Sequence, residues 1–121
     1  MTPVGASDGL TGRVCRVDDI PVGEGRAVEI DGRRIAVFRT RHGWYAVDQR
    51  CPHRGGPLAD GIVADGCVTC PLHDRRFDLA SGRCQSDPDL RVDVYQVVVR
   101  EADVWLDGAA LPHEVTAMLV A

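Results

Sequence analysis

The sequence predicts an all-β domain, on three observations. Short segments alternate apolar and polar residues, as strands with one buried face do. Turn signals interrupt them roughly every eight to twelve residues. No stretch before the C-terminus sustains the helical period of about 3.6 residues. At 121 residues the chain is long enough for one domain with its own core and too short for two comfortable ones. The expected architecture is a small antiparallel sandwich or barrel of many short strands.

The elements follow in order. GRAVEI (25–30) and RRIAVFRT (33–40) flank Asp31-Gly32, a strong signal for a two-residue hairpin. His42-Gly43 separates AVFRT from WYAVDQ (44–49) and suggests a second hairpin. CVTC (67–70) follows Asp65-Gly66, and RRFDL (75–79) precedes Ser81-Gly82. VDVYQVVVRE (92–101) and VWL (104–106) read as two further strands around Ala102-Asp103. Between Cys51 and His73 lie Gly55, Gly56, Pro57, Gly61 and Gly66, a loop-rich excursion from the sheet scaffold. Residues 1–12 lack a basic n-region and an apolar h-region, so they read as a flexible tail without a secretory signal. The domain itself is expected over 13–107, with its loop-rich subdomain at about 49–84 and a C-terminal tail over 108–121. Within that tail HEVTAMLV has the composition of a short helix or strand, packed on a partner or on its own domain.

Composition narrows the function classes. The net charge of −4 argues against a nucleic-acid partner. All 14 basic residues are arginine, scattered without forming a stripe. No window approaches the roughly 18 apolar residues that span a membrane, so a cytoplasmic location is expected. Five cysteines, an odd number in a chain with no export signal, favour metal ligation plus free thiols over a disulfide framework.

The chemistry concentrates in CPHRGGPLADGIVADGCVTCPLH, which carries one device twice. Cys51-Pro52-His53 is followed, after sixteen residues, by Cys70-Pro71-Leu72-His73. Each clamp offers a soft thiolate and an imidazole, a donor set that selects zinc, copper or iron–sulfur chemistry over magnesium or calcium. Structural zinc of the Cys2His2 type is one reading, although such modules usually pair Cys with Cys and His with His. Core cysteines and loop histidines meeting by chance is a second. A [2Fe–2S] cluster with two Cys on one iron and two His on the other is the third. It explains why each clamp is mixed, because each loop then sends one ligand to each iron. Four thiolates would leave an oxidised cluster a dianion, whereas two thiolates and two neutral imidazoles leave it neutral and easier to reduce. A ligating imidazole also keeps an outer N–H, so electron uptake can be coupled to proton uptake.

The pattern Cys-x-His, sixteen residues, Cys-x-x-His resembles the Rieske signature, and the resemblance runs from about Val14 to Leu106. It implies a β-sandwich base carrying a cluster-binding subdomain between strands. It also implies that Cys51 and Cys70 ligate the iron that stays ferric, and His53 and His73 the iron that is reduced. High-potential Rieske proteins add one cysteine to each clamp, forming a disulfide across the loops. Here the corresponding positions are Gly55 or Gly56 and Leu72, so a lower-potential type without that disulfide is expected. Cys15 and Cys67 read as small core residues, and Cys84 as a partly exposed residue after a turn. His42 reads as a turn residue and His113 as a solvated tail residue.

A Rieske oxygenase needs a second iron held by two His and a carboxylate. Only His42 and His113 remain for it, and they sit in a turn and a tail. No glycine-rich fingerprint for flavin or nicotinamide is present, since GEGRAV (23–28) leads into a strand. The expected role is therefore electron transfer to or from another polypeptide. The stretches DDIPVGEGRAVEIDGRRIAVFRT, CPHRGGPLADGIV and CPLHDRRFDL resemble the small subunit of assimilatory NAD(P)H-dependent nitrite reductase. That implies a large catalytic subunit with flavin and siroheme as partner. The alternative resemblance is to the Rieske ferredoxin of aromatic-ring dioxygenases, whose partners are reductase and oxygenase components. Those ferredoxins commonly carry Gly after the second His, where this chain has Asp74. Arg50, Arg54, Arg75 and Arg76, against Asp60 and Asp74, read either as solvated charges without a docking role or as a basic rim that steers an acidic partner face.

Overall fold

The structure, a computed structural model, describes residues 10–30, 32–53, 55–72, 74–107 and 119–120. The strands are β1 (Leu10–Arg16), β2 (Glu24–Ile30), β3 (Arg33–Thr40), β4 (Gly43–Asp48), β5 (Ile62–Ala64), β6 (Cys67–Thr69), β7 (Arg76–Asp78), β8 (Val94–Arg100), β9 (Asp103–Asp107) and β10 (Leu119–Val120). No α-helix occurs among the described residues, and none is long and apolar enough to cross a membrane. The all-β expectation holds. Every pairing is antiparallel, in a seven-stranded sheet ordered β1-β9-β8-β4-β3-β2-β10 and a three-stranded sheet ordered β5-β6-β7. The outer strands β1 and β10 approach each other, so the larger sheet nearly closes into a barrel. Both residues of β10 lie in the C-terminal stretch set apart in sequence. They pair with β2, Leu119 opposite Ile30 and Val120 opposite Glu29.

Turn chemistry sets the hairpins. Ile30 pairs with Arg33 across the two-residue turn that sequence predicts, with Gly32 at φ 80°. Asp65 and Gly66, at φ 54° and 76°, form the turn joining β5 to β6, as the mirror-image hairpin turn requires. Two turns sit one residue earlier than expected. Thr40 pairs with Gly43, so Arg41-His42 make the turn, and the Thr40 hydroxyl accepts the His42 N–H at 3.1 Å. Arg100 pairs with Asp103, placing Glu101 (φ 56°) and Ala102 in the last turn. β5, three apolar residues with one partly buried between two exposed ones, is too short to show an alternation in sequence.

β3 explains where the candidate site sits. Its run Ile35-Ala36-Val37-Phe38 is buried throughout, the pattern of a strand covered on both faces. Ile35 and Val37 face one core with Val14, Ile20, Val28, Ile30, Ala46, Tyr95, Val104 and Leu106. Ala36 and Phe38 face a second core with Val47, Leu58, Val68, Phe77, Leu79, Cys51, Cys70 and Cys84. β4 divides in the same way, with Ala46 in the first core and Val47 in the second. The larger sheet thus supplies the floor on which the cysteine-bearing loops rest. A polar staple ties β3, β4 and β8 together. The Tyr95 hydroxyl donates to Asp48 Oδ1 at 2.5 Å, and Arg33 Nη1 donates to Tyr95 Oη at 3.2 Å. Burial and the Asp48 hydrogen bond push the Tyr95 phenol well above its usual range. Burial likewise pushes the Asp48 carboxyl up, against the opposing pull of the Tyr95 hydrogen bond.

Candidate metal centre

Two loops, 51–56 and 70–75, carry the predicted ligands, and their backbones fold alike. In the first, Gly55 N–H donates to Cys51 O at 2.7 Å and Cys51 N–H donates to Gly56 O at 2.9 Å. In the second, Asp74 N–H donates to Cys70 O at 3.0 Å and Cys70 N–H donates to Arg75 O at 2.7 Å. Both fifth positions are left-handed, Gly55 at φ 75° and Asp74 at φ 58°. Proline follows each cysteine, fixing φ and lowering the loop entropy. The twin loops differ in one respect. His53 is the third residue of its loop in sequence and His73 the fourth of its own.

The loops lie against one another. A Cβ at Gly56 would stand 2.7 Å from Cys70 Sγ and 3.0 Å from Leu72 Cγ. In return Arg75 Nη2, from the second loop, lies 3.3 Å from His53 Nε2 in the first. Gln49 fixes the exit of the first loop, its backbone O accepting Leu58 N–H and its Oε1 accepting Ala59 N–H, each at 2.9 Å. Cys51 and Cys70 are each 1% exposed and belong to one buried cluster with Phe77 and Leu79. His53 is half-buried, with Nδ1 inside the protein and Nε2 toward Arg75. Of the four predicted ligands the structure therefore brings three into one pair of abutting loops, and the fourth, His73, lies outside the described residues, as does Arg54. Among the described residues no three Cys, His, Asp or Glu side chains gather as a single-ion site. A dinuclear centre needs no such trio, because it takes two protein ligands on each iron.

These residues fit a [2Fe–2S] group. Buried thiols give soft ligands, the inward Nδ1 gives a nitrogen donor, and Gly56, lacking a Cβ, lets the first loop pack directly on the Cys70 sulfur. The outlying cysteines differ from them. None of the five cysteines forms a disulfide. Cys15 is half-buried, its thiol pushed up to about 11 by burial, with Asp19 adding to the shift. Cys67 is buried and accepts Gln85 Nε2–H at 3.2 Å. Cys84, expected to be partly exposed, is buried at 5% because the bridge between Phe77 and Cys84 folds its segment under β7. His42 is an exposed turn residue, and His113 lies outside the described residues.

Sequence reasoning missed the Arg75–His53 contact and the packing of Gly56 on Cys70. The equal four-residue step from each cysteine to a residue at positive φ was the available signal. Glycine announces that conformation in the first loop, whereas Asp74 hides it in the second.

Comparisons with known proteins agree with this geometry. The family profile for a Rieske-like [2Fe–2S] domain matches residues 12–107. The ferredoxin component of the naphthalene 1,2-dioxygenase/salicylate 5-hydroxylase systems of Ralstonia sp is 32% identical over 91 residues, covering 74% of this chain and 88% of that protein. The nitrite reductase [NAD(P)H] of Emericella nidulans is 37% identical over 82 residues, covering 60% of this chain. The chain spans 7% of that enzyme's length, and 16% of that of human apoptosis-inducing factor 3, to which it is 29% identical over 100 residues. Among solved structures, a chain assigned as the NADH-dependent nitrite reductase small subunit of Mycobacterium tuberculosis superposes with TM-score 0.74 at 31% identity, covering 78% of this chain and 90% of that one.

Proposed function

Since the chain belongs to the Rieske-like [2Fe–2S] domain family, which carries one such cluster and serves electron transfer, we propose that it works as the small subunit of an NAD(P)H-dependent nitrite reductase in the cytoplasm. When bound, the cluster supplies one-electron storage at a centre easier to reduce than an all-thiolate one. Cys51 and Cys70 would hold one iron, and His53 and His73 the other. The observation that carries the reading is the pair of twin loops with buried thiols, abutting through Gly56 and Arg75. The protein's own part is to position those ligands, to keep water from the sulfurs, and to set Arg75 at the Nε2 edge of the His53 imidazole. Its partner would be the large subunit bearing flavin and siroheme.

Asp74 favours the subunit over a free ferredoxin. It occupies a left-handed position (φ 58°) that glycine fills without strain, in the slot where ring-dioxygenase ferredoxins commonly carry glycine. The ferredoxin reading is supported by matches to dioxygenase ferredoxin components over most of their length, 88% of the Ralstonia protein among them. Co-expression of the tagged chain with a siroheme-containing large subunit tests the choice. A stable complex supports the subunit. Transfer of electrons to a ring-hydroxylating oxygenase without complex formation refutes it. The cluster itself is tested by purifying the chain anaerobically and recording EPR after dithionite reduction. A rhombic signal of low average g is expected, and colourless protein with stoichiometric zinc refutes it.

A further inference from the structure

We propose that Arg75 is a positioning residue of the redox centre: its guanidinium, held at the edge of His53, makes electron uptake easier. The inference rests on the reading of His53 as a ligand and deepens it. Three observations hold the cation in place. The Arg75 carbonyl accepts Cys70 N–H at 2.7 Å, so its backbone is fixed by the ligand loop itself. Its Nη2 lies 3.3 Å from His53 Nε2, on the far side of the ring from the inward Nδ1. Its Nε is buried with no hydrogen-bond partner among the described residues, so the stem runs through the protein rather than through solvent.

The neighbouring arginines are placed differently. Arg76 Nη2 faces Asp65 Oδ2 at 3.6 Å. Arg50 is exposed and lies across Gly55, where an added Cβ would stand 3.1 Å from the Arg50 Nε. Asp74, the acid beside Arg75 in sequence, is exposed, where water screens it. Among the described arginines of the two loops, Arg75 sets its guanidinium at the edge of His53 with its Nε out of water, and a charge away from bulk water acts over a distance that surface charges do not. Adding one electron to the centre adds one negative charge, which a fixed neighbouring cation stabilises. Arginine suits the role because it is always charged and its planar head is weakly hydrated.

The test is the midpoint potential of the purified, cluster-loaded chain at one fixed pH, for the wild type, Arg75→Gln, Arg75→Lys and Arg50→Gln. Arg75→Gln should lower the reduced-to-oxidised ratio at a given potential about tenfold, equal to about 59 mV for one electron. Arg75→Lys should recover most of that loss, and Arg50→Gln should shift the ratio less than Arg75→Gln and lose its shift at high salt. An unchanged potential in Arg75→Gln overturns the proposal, as does an equal shift in Arg50→Gln. If Arg75→Gln takes up no iron, Arg75→Lys decides. A loaded Lys variant within twofold of the wild type supports the role, and failure of both variants to load makes Arg75 a purely structural clasp and overturns it. A wild-type chain without iron and inorganic sulfide would instead refute the ligand reading underneath, an outcome distinct from all of these.

Discussion

Adding a single methyl group at Gly56 is the sharpest test of how the two loops meet. The new Cβ would sit 2.7 Å from Cys70 Sγ and 3.0–3.1 Å from the Leu72 side chain. Ordinary heavy-atom contact begins near 3.5 Å, so the sulfur or the loop must give by about 0.8 Å. Leu72 is 55% exposed and can swing aside. Cys70 is 1% exposed and has no such freedom. Overpacking of this size costs about 1–3 kcal/mol, and metal–ligand distances tolerate only about 0.2 Å. Gly56→Ala should therefore lower the melting temperature of the metal-free chain and cut iron and acid-labile sulfide per chain by about tenfold or more. Gly55→Ala is the control. Its cost is the left-handed backbone, about 1 kcal/mol, and its nearest neighbour is the tip of the exposed Arg50 rather than a ligand. It should destabilise the fold modestly and keep the cluster. Iron analysis, sulfide analysis and visible absorption on both variants check the pair. A Gly56→Ala protein with wild-type cluster content and stability would refute the abutting-loop geometry.

Other expectations follow from the same structure. Cys51→Ser and Cys70→Ser should each abolish the visible spectrum, whereas Cys67→Ser and Cys84→Ser should keep it at a cost of about 1–2 kcal/mol for disturbing buried thiols; iron content of the four variants checks this. The raised Tyr95 phenol means that the unfolded chain loses this proton near pH 10 while the folded chain retains it. Stability should therefore fall as pH rises through about 10, by about 1.4 kcal/mol per pH unit for one proton, and Tyr95→Phe should remove that component in denaturant titrations. Cys15 has the same sign, its share of stability being lost as pH rises from 9.0 to about 11, and Cys15→Ser should flatten the curve there. Raised Asp48 acts at the other end, since the folded chain holds its proton more tightly. Its effect is to lower stability as pH rises above 3.8, and Asp48→Asn should lessen that decline in an acid titration of stability.

Much of the fold is legible in sequence because its turns are chemically explicit. Asp31-Gly32 and Asp65-Gly66 mark hairpins whose conformations few other residue pairs accept, and the strands beside them follow. The turn at Arg41-His42 lies one residue from its expected place. Gly43, the residue that signals a turn, instead opens β4, and the Thr40 hydroxyl organises the turn. The division of the interior is not legible. Ile35-Ala36-Val37-Phe38 reads as one apolar run, and nothing local shows that alternate residues serve different cores. At the candidate site the spacing of Cys51, His53, Cys70 and His73 points to the chemistry. The contact between Arg75 and His53 joins residues 22 apart, and only the folded loops bring them together.

The two interiors on either side of β3 carry a consequence for how such a protein is made. One of them, built from residues such as Val14, Ile20, Ile35, Val37 and Leu106, contains none of the proposed ligands. The other contains Cys51 and Cys70. During iron starvation the first half has nothing to lose, so a newly synthesised polypeptide can stand as a folded recipient before its inorganic cargo arrives. Insertion of iron and sulfide would then concern the core that holds Cys51 and Cys70 and leave the other packed as it stands.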